Sequence, residues 1–339
     1  MVKTTQIERN GLFELTEEPR AELVSSPYYN EDLSPTTVAE RKWTTYNITM
    51  LWVGMSICIP ALSLASGLIG MGVSPWLAVL NVALGNLLVL VPIQLNSQIG
   101  TKYGIPFPLF ARLTFGTIGA HLPALLRAIT ACGWCSVQAW VGGGAVGAII
   151  GVFVKVFADP NWTMGLPSWG GIQTVQIGQF VGYVIFIAFW ATMALNIPDF
   201  SRYARSQSDQ FRGQLYGMPL PMAFCGFVGA YYFQATKLAF GEAMFDPTGV
   251  LYHINNPIVV LISAIGVVCA TVTTCVAANV VAPANGFSNL NPKKISFKGG
   301  VVITILIAFF ILQAWWIYGS GAAYFTWMNA YGTILAPSQ

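Results

Sequence analysis

Residues 51–73 read LWVGMSICIPALSLASGLIGMGV, and this stretch decides the fold class. It carries no charged residue, and a helix crosses a bilayer on about 20 consecutive apolar residues. Further runs of this kind lie near 76–98, 120–154, 176–197, 215–240, 256–283, 299–319 and 321–337. Hydrophobic residues make up 55% of the chain and charged residues 9%, with a mean hydropathy of +0.62, well outside the range of soluble domains. The strands of a membrane barrel alternate polar and apolar positions, and these runs do not. The chain reads as an all-α polytopic membrane protein of about eight transmembrane helices.

The quoted run also holds Gly54 and Pro60, and the fourth run ends in Asn196-Ile-Pro198-Asp199-Phe200. A proline inside a helix frees a carbonyl and kinks the axis. At membrane depth a freed backbone group is tolerated only where it faces protein or a watery cavity. Broken helices of this kind hold ions and substrates in secondary transporters. Ordinary proline kinking is the other reading, and the prolines alone do not choose between them.

Cytoplasmic flanks of membrane helices are enriched in Lys and Arg. With the N-terminus inside, all sixteen basic residues except Lys155 and Lys237 fall on the cytoplasmic side, Arg127 among them. Residues 1–42 lack the short apolar core and cleavage site of a signal peptide. They read as a cytoplasmic tail before a transmembrane domain spanning 43–339. The net charge of +3 follows from the cytoplasmic segments and gives no reason to expect nucleic-acid binding. All six cysteines lie in apolar runs. Cys132 and Cys135 form a CxxC with no second pair or nearby His, so small apolar packing is the expected role.

Trp134 and Gln138 in the third run are four residues apart and share a helix face. An indole beside an amide suits a flat heterocycle, one stacking on it and the other bonding its edge. Taken alone, the pair is explained more plainly by packing and an interhelical hydrogen bond. In the sixth run Ala270, Thr273 and Thr274 stand at i, i+3 and i+4, so a carbonyl and two hydroxyls converge as hard oxygens suited to a small cation such as Na⁺. Asn279 follows on the same helix with donors and acceptors for an amide-like ligand. Each Thr taken singly is accounted for by bonding its own i−4 carbonyl.

No Asp or Glu lies mid-span, Asp199 standing at a cytoplasmic end beside Arg202, and His121 and His253 lie near span ends. Proton-driven carriers usually need an intramembrane carboxylate or His relay, so Na⁺ coupling or a neutral substrate fits better. Catalytic triads, zinc-ligand spacings and phosphate loops are missing, so no enzyme is expected.

These residues carry a resemblance. Asn30-Glu-Asp-Leu-Ser-Pro35, Leu51-Trp-Val-Gly-Met55, Lys102-Tyr-Gly-Ile-Pro106, Gly133-Trp134 through Gln138, Asn196-Ile-Pro-Asp-Phe-Ser-Arg-Tyr203 and Ala270 through Asn279 follow in order the segments of the nucleobase–cation symporters. That family comprises permeases for cytosine, purines, uracil, allantoin and hydantoins. The resemblance covers most of residues 28–339 and implies a LeuT-like fold of two inverted five-helix repeats. It implies a substrate site in which Trp134 and Trp190 stack on the ligand while Gln138 and Asn279 bond its edge. It implies a Na⁺ site from the carbonyls of Gly54, Ile57 and Ala270 and the hydroxyls of Thr273 and Thr274. Cys58 stands where a hydantoin carrier has glutamine, so hydantoin specificity does not carry over.

One departure from the family changes the expectation. Val181-Gly-Tyr-Val-Ile-Phe-Ile-Ala188 reads like early helix four and runs directly into Phe189-Trp190, which reads like mid helix six. A fusion near 188–189 removes an even number of helices and preserves orientation downstream. The end at Gln339 corresponds to the close of helix ten, so helices eleven and twelve are expected to be missing. The expected function is import of a nucleobase, ureide or hydantoin across the plasma (inner) membrane, with Na⁺ as coupling ion, H⁺ as the alternative and no cofactor. A truncated, transport-incompetent binding or regulatory form is the competing expectation. The expected partners are the small-molecule substrate and the lipid bilayer.

Overall fold

The structure is a computed structural model and describes residues 6–157, 189–312 and 321–335. The quoted stretch is a broken helix. Its first half, α2 (Thr45–Ser56), starts on a capping box in which Thr44 N donates to Asn47 Oδ1 at 3.0 Å. It ends at Ile57, where the backbone leaves helical geometry (φ −84°, ψ 81°), and α3 (Ile59–Gly70) departs at 51°. Pro60 lies in the first turn of α3, where its missing N–H has no intrahelical partner to lose. The proline therefore begins a new half-helix and does not bend a continuous one.

Among the described residues the other regular elements are helices apart from a small hairpin before α1 (Glu17–Ser25). There β1 (Gln6–Arg9) and β2 (Leu12–Leu15) pair around Asn10-Gly11, both at positive φ. The long helices α4 (Pro75–Tyr103) and α6 (His121–Phe157) are separated by α5 (Phe107–Gly119). Residues 189–196 form α7, and α8 (Pro198–Ser201) follows directly. Pro198 offers no N–H to the carbonyl of Ala194, which instead accepts Asn96 Nδ2 of α4 at 2.8 Å. Then come α9 (Gln207–Gly217), α10 (Pro219–Phe240), α11 (Pro257–Thr274), α12 (Val281–Leu290), α13 (Phe297–Leu306) and α14 (Gly321–Leu335). A π-helical segment, Cys275–Val280, joins α11 to α12 in one rod.

Among the described residues, α4, residues 121–152 of α6 and the rod 257–290 are each long and apolar enough to cross a membrane, and the bent α2–α3 pair passes as one span. The α2 half packs along α9, α10 packs on α3 and α4, and the α11–α12 rod lies against α6 and α13. Two close approaches depend on glycine. A Cβ at Gly229 would strike the carbonyl of Leu62 on α3, and one at Gly300 would meet the backbone of Ala284 on α12. Most of the fourth apolar run, and the 188 side of the fusion expected near 188–189, lie outside the described residues.

The N-terminal tail is strapped to the helix ends. Asn30 Nδ2 donates to Pro292 O at 2.8 Å, and Asp32 accepts from Phe297 N at 2.8 Å. Arg41 is buried, its guanidinium bonding the carbonyls of Phe13, Thr36 and Thr101. Gly104 ends α4 in the left-handed region (φ 69°), where a Cβ would collide with Thr36 and Arg41.

Candidate functional site

The break between α2 and α3 leaves backbone carbonyls without helical partners, as every helix end does. Gly54 O accepts the hydroxyl of Thr274 from α11 at 3.1 Å, with Met55 O at 3.5 Å. Ser56 O accepts Cys225 Sγ, and the carbonyl of Pro60 accepts Tyr324 Oη of α14 at 3.1 Å. The break is thus held from three sides. Of the expected cation ligands, Gly54 and Thr274 are brought together. Thr273 is not: it is exposed, and its hydroxyl donates to Cys269 O and Ala270 O of its own helix, each at 3.0 Å. Ala270 is half-buried one turn before Thr274, and the Ile57 side chain is exposed at the break.

The four expected substrate residues are all buried. Trp134 and Gln138 come from α6, Trp190 from α7 and Asn279 from the π-helical segment. The Cys58 thiol faces the side chains of both Gln138 and Thr274, which links the two halves of the site. Gln138 Oε1 and the Trp190 indole N–H are buried without hydrogen-bonding partners, which is unusual for interior polar atoms. Trp134 is surrounded edge-on by Phe189, Tyr324, Trp327 and Tyr331, with ring centroids 4.9 to 6.2 Å away. Phe189 also packs on Trp190 at 4.9 Å, so its ring touches both tryptophans. Trp52 of α2, fully buried, completes the cluster against Trp190 at 5.3 Å.

Buried indoles and amides are groups that stack on and bond a flat ring, although Phe189 packs against both indoles here, and the Gly54–Thr274 oxygens are of the kind that suit a cation. A family model described as "Permease for cytosine/purines, uracil, thiamine, allantoin" matches residues 35–157 and 148–338. The chain belongs to this family of nucleobase–cation symporters, which are permeases and not enzymes. The purine-uracil permease NCS1 of Arabidopsis thaliana is 33% identical to it over 91% of this chain and 62% of its own length. The allantoin permease of Bacillus subtilis is 32% identical over 91% of this chain and 76% of its own. Mhp1, a nucleobase-cation-symport-1 family transporter solved in a closed conformation with bromovinylhydantoin bound, superposes with a TM-score of 0.72 at 20% identity, covering 92% of this chain and 78% of that one. The chain is therefore a multi-pass integral membrane protein of LeuT-like fold.

Burial of two charges in the chain is not revealed by charge counting along the sequence. Arg127, which counts with the cytoplasmic cations by sequence, is 1% exposed inside α6 and bonds Thr192, Asn196 and Ala278. Asp199, expected at a helix end beside Arg202, is 2% exposed, and Oδ1 accepts Phe107 N at 2.9 Å. It lines a cavity of about 470 Å³ beyond the apolar run, together with Arg20, Asp32, Glu40 and Arg202.

Burial pushes the Asp199 carboxyl up to about 6, against the Phe107 hydrogen bond and the Arg202 charge that favour ionisation. An unfolded Asp ionises near 3.9, so between about pH 4 and 6 the folded state retains a proton that the unfolded chain has lost. Stability should therefore fall as pH rises through that window and level off above it. Asp199→Asn is expected to flatten this slope. Thermal midpoints of both proteins at pH 4.5, 6 and 7.5 check it, and an unaltered slope in the variant would remove Asp199 as its source.

Proposed function

We propose that this permease imports a planar, neutral cyclic amide or ureide, of the cytosine, uracil, purine or allantoin class, coupled to Na⁺. Both the plasma (inner) membrane location and a cytoplasmic N-terminus belong to this reading. The observation that carries it is a broken helix whose freed Gly54 carbonyl meets Thr274, with Trp134, Gln138, Trp190 and Asn279 all buried in the interior. The substrate stacks on the indoles and bonds the two amides. The cation is held first by Gly54 O and Thr274 Oγ1, oxygens that share a proton at 3.1 Å and would both turn their lone pairs to the ion. Ile57 and Ala270 flank that pair. Thr273 as oriented lies outside it.

Uptake of radiolabelled uracil and allantoin into proteoliposomes, set beside equilibrium binding in detergent, tests the reading. Transport driven by an inward Na⁺ gradient is the expected result. Binding without uptake would favour the second reading, a transport-incompetent binding or regulatory form. That reading is supported by the family model matching in two stretches.

Coupling makes its own prediction. Na⁺ and substrate should raise each other's affinity by the same factor, because linkage is reciprocal. Thr274→Ala is expected to abolish the Na⁺ dependence of substrate binding while leaving weak Na⁺-independent binding. A titration with choline replacing Na⁺ reads this out. Affinity that ignores Na⁺ but follows pH would overturn sodium coupling and turn attention to Asp199 as a proton site.

A further inference from the structure

We propose that Cys135 and Cys275 form an oxidisable thiol pair whose closure to a disulfide controls the binding site next to it. Cys135 lies on α6, and Cys275 is the first residue of the π-helical segment. Their sulfurs are 3.3 Å apart, one thiol donating to the other. Both belong to a small apolar cluster with Ala128, Cys132, Phe287 and Ala308, separate from the main core. Neither is used by the substrate or cation chemistry above. Cys135 is buried, while Cys275 keeps part of its surface open at the edge of the helix contact.

A disulfide bond is about 2.05 Å long, so the sulfurs need to approach by little more than an ångström. The π-helical backbone of residues 275–280 carries an extra residue per turn, and such bulges concentrate at functional sites. The position of the pair suggests the oxidant. Between membrane helices the accessible class is an apolar hydroperoxide, such as an oxidised acyl chain. One thiol takes the terminal peroxide oxygen, giving a sulfenic acid and releasing the lipid alcohol. The second sulfur then displaces that oxygen as water, forming the S–S bond. Two thiols and one hydroperoxide become one disulfide, one alcohol and one water. Holding the second thiol in contact makes the closing step effectively unimolecular.

The consequence follows from the neighbours. Cys135 is flanked by Trp134 and lies three residues before Gln138. Cys275 is flanked by Thr274 and lies one turn before Asn279. A bond between them fixes the backbone that carries the stacking ring and first amide to the backbone that carries the hydroxyl at Gly54 and the second amide. Binding sites tolerate displacements of only about 0.5 Å, so a shift of this size should weaken substrate binding about tenfold. This effect on affinity rests on the binding-site reading above, whereas the cross-link itself does not.

The test uses the full chain, purified in detergent under reducing conditions and then exposed to cumene hydroperoxide. Non-reducing peptide mapping should find the Cys135 and Cys275 peptides joined, two hydrogens lighter than their sum. Binding of radiolabelled uracil and allantoin should weaken about tenfold and recover on treatment with a phosphine reductant. Cys135→Ala and Cys275→Ala should each bind like the reduced parent and ignore the oxidant, while Cys269→Ala, at an exposed thiol, should stay sensitive. No joined peptide, or joining of Cys132 in place of Cys275, overturns the pair. A joined peptide with unchanged affinity overturns its control of the site. If the reduced protein binds neither ligand, the functional reading fails, and the peptide map still decides the thiol chemistry.

Discussion

Replacing Arg127 by methionine is expected to destabilise the folded protein by about 3 kcal/mol, because it strands three buried neutral acceptors that together cost less than the sum of their parts. The guanidinium donates from Nε to Thr192 O and Asn196 Oδ1, both at 2.8 Å, and from Nη2 to Ala278 O at 2.9 Å. It therefore ties α6 to α7 and to the π-helical segment at one point. Methionine fills much of the volume but donates nothing, so each stranded acceptor costs about 1–3 kcal/mol, less than additively because the groups are neighbours. Lysine keeps the charge but loses the planar fork that reaches in two directions, so Arg127→Lys should fall between. Thermal midpoints of the purified proteins in one detergent read this out, with a drop of roughly 10 °C for methionine. A methionine variant as stable as the parent would mean the arginine is not what joins these elements.

Such an arginine is hard to read from sequence, and the reason is general. Hydropathy and charge counting see each residue against its neighbours in the chain, and Arg127 near the start of an apolar run looks like a flanking cation. Its partners lie 65, 69 and 151 residues away, so only the fold reveals that its charge faces protein. Asp199 does stand beside Arg202 beyond the apolar run, but its burial is equally invisible to charge counting. So is the lower end of the sixth run, read as ending at 283. The rod continues to Leu290 because Asn285, Ser288 and Asn289 are buried against other helices, and their polarity does not mark an exit from the bundle.

What was legible came from covalent geometry. Pro60 and Pro198 mark breaks because a missing N–H has the same consequence in any context, and both stand at the start of a new helical segment. Thr274 meets Gly54 as the family resemblance implies. Thr273 does not, since adjacent residues on a helix are about 100° apart and only one of the two can face α2 squarely. The π-helical segment right after Thr274 escaped the sequence reading altogether. Nothing in Cys275–Val280 distinguishes it from ordinary α-helix, and the extra residue per turn is defined by backbone hydrogen bonds alone.

The proposed substrate site gives the other large effect. Trp134→Ala and Asn279→Ala are each expected to weaken substrate binding by roughly one to two orders of magnitude. Base–aromatic stacking contributes about 1–3 kcal/mol per face, and an unpaired amide edge costs about as much. The structure adds a condition to that expectation. Phe189 contacts both Trp134 and Trp190, at 5.2 and 4.9 Å, so a ring that stacks on the two indoles must first turn Phe189 aside. Phe189→Ala should remove that requirement and leave affinity for small pyrimidines equal or better, with the larger gain for bicyclic purines. Isothermal binding of uracil, allantoin and a purine to the three variants separates the contributions. Loss of affinity on Phe189→Ala as deep as on Trp134→Ala would make the phenylalanine a stacking face in its own right. Unchanged affinity in both Trp134→Ala and Asn279→Ala would move the substrate elsewhere in the bundle.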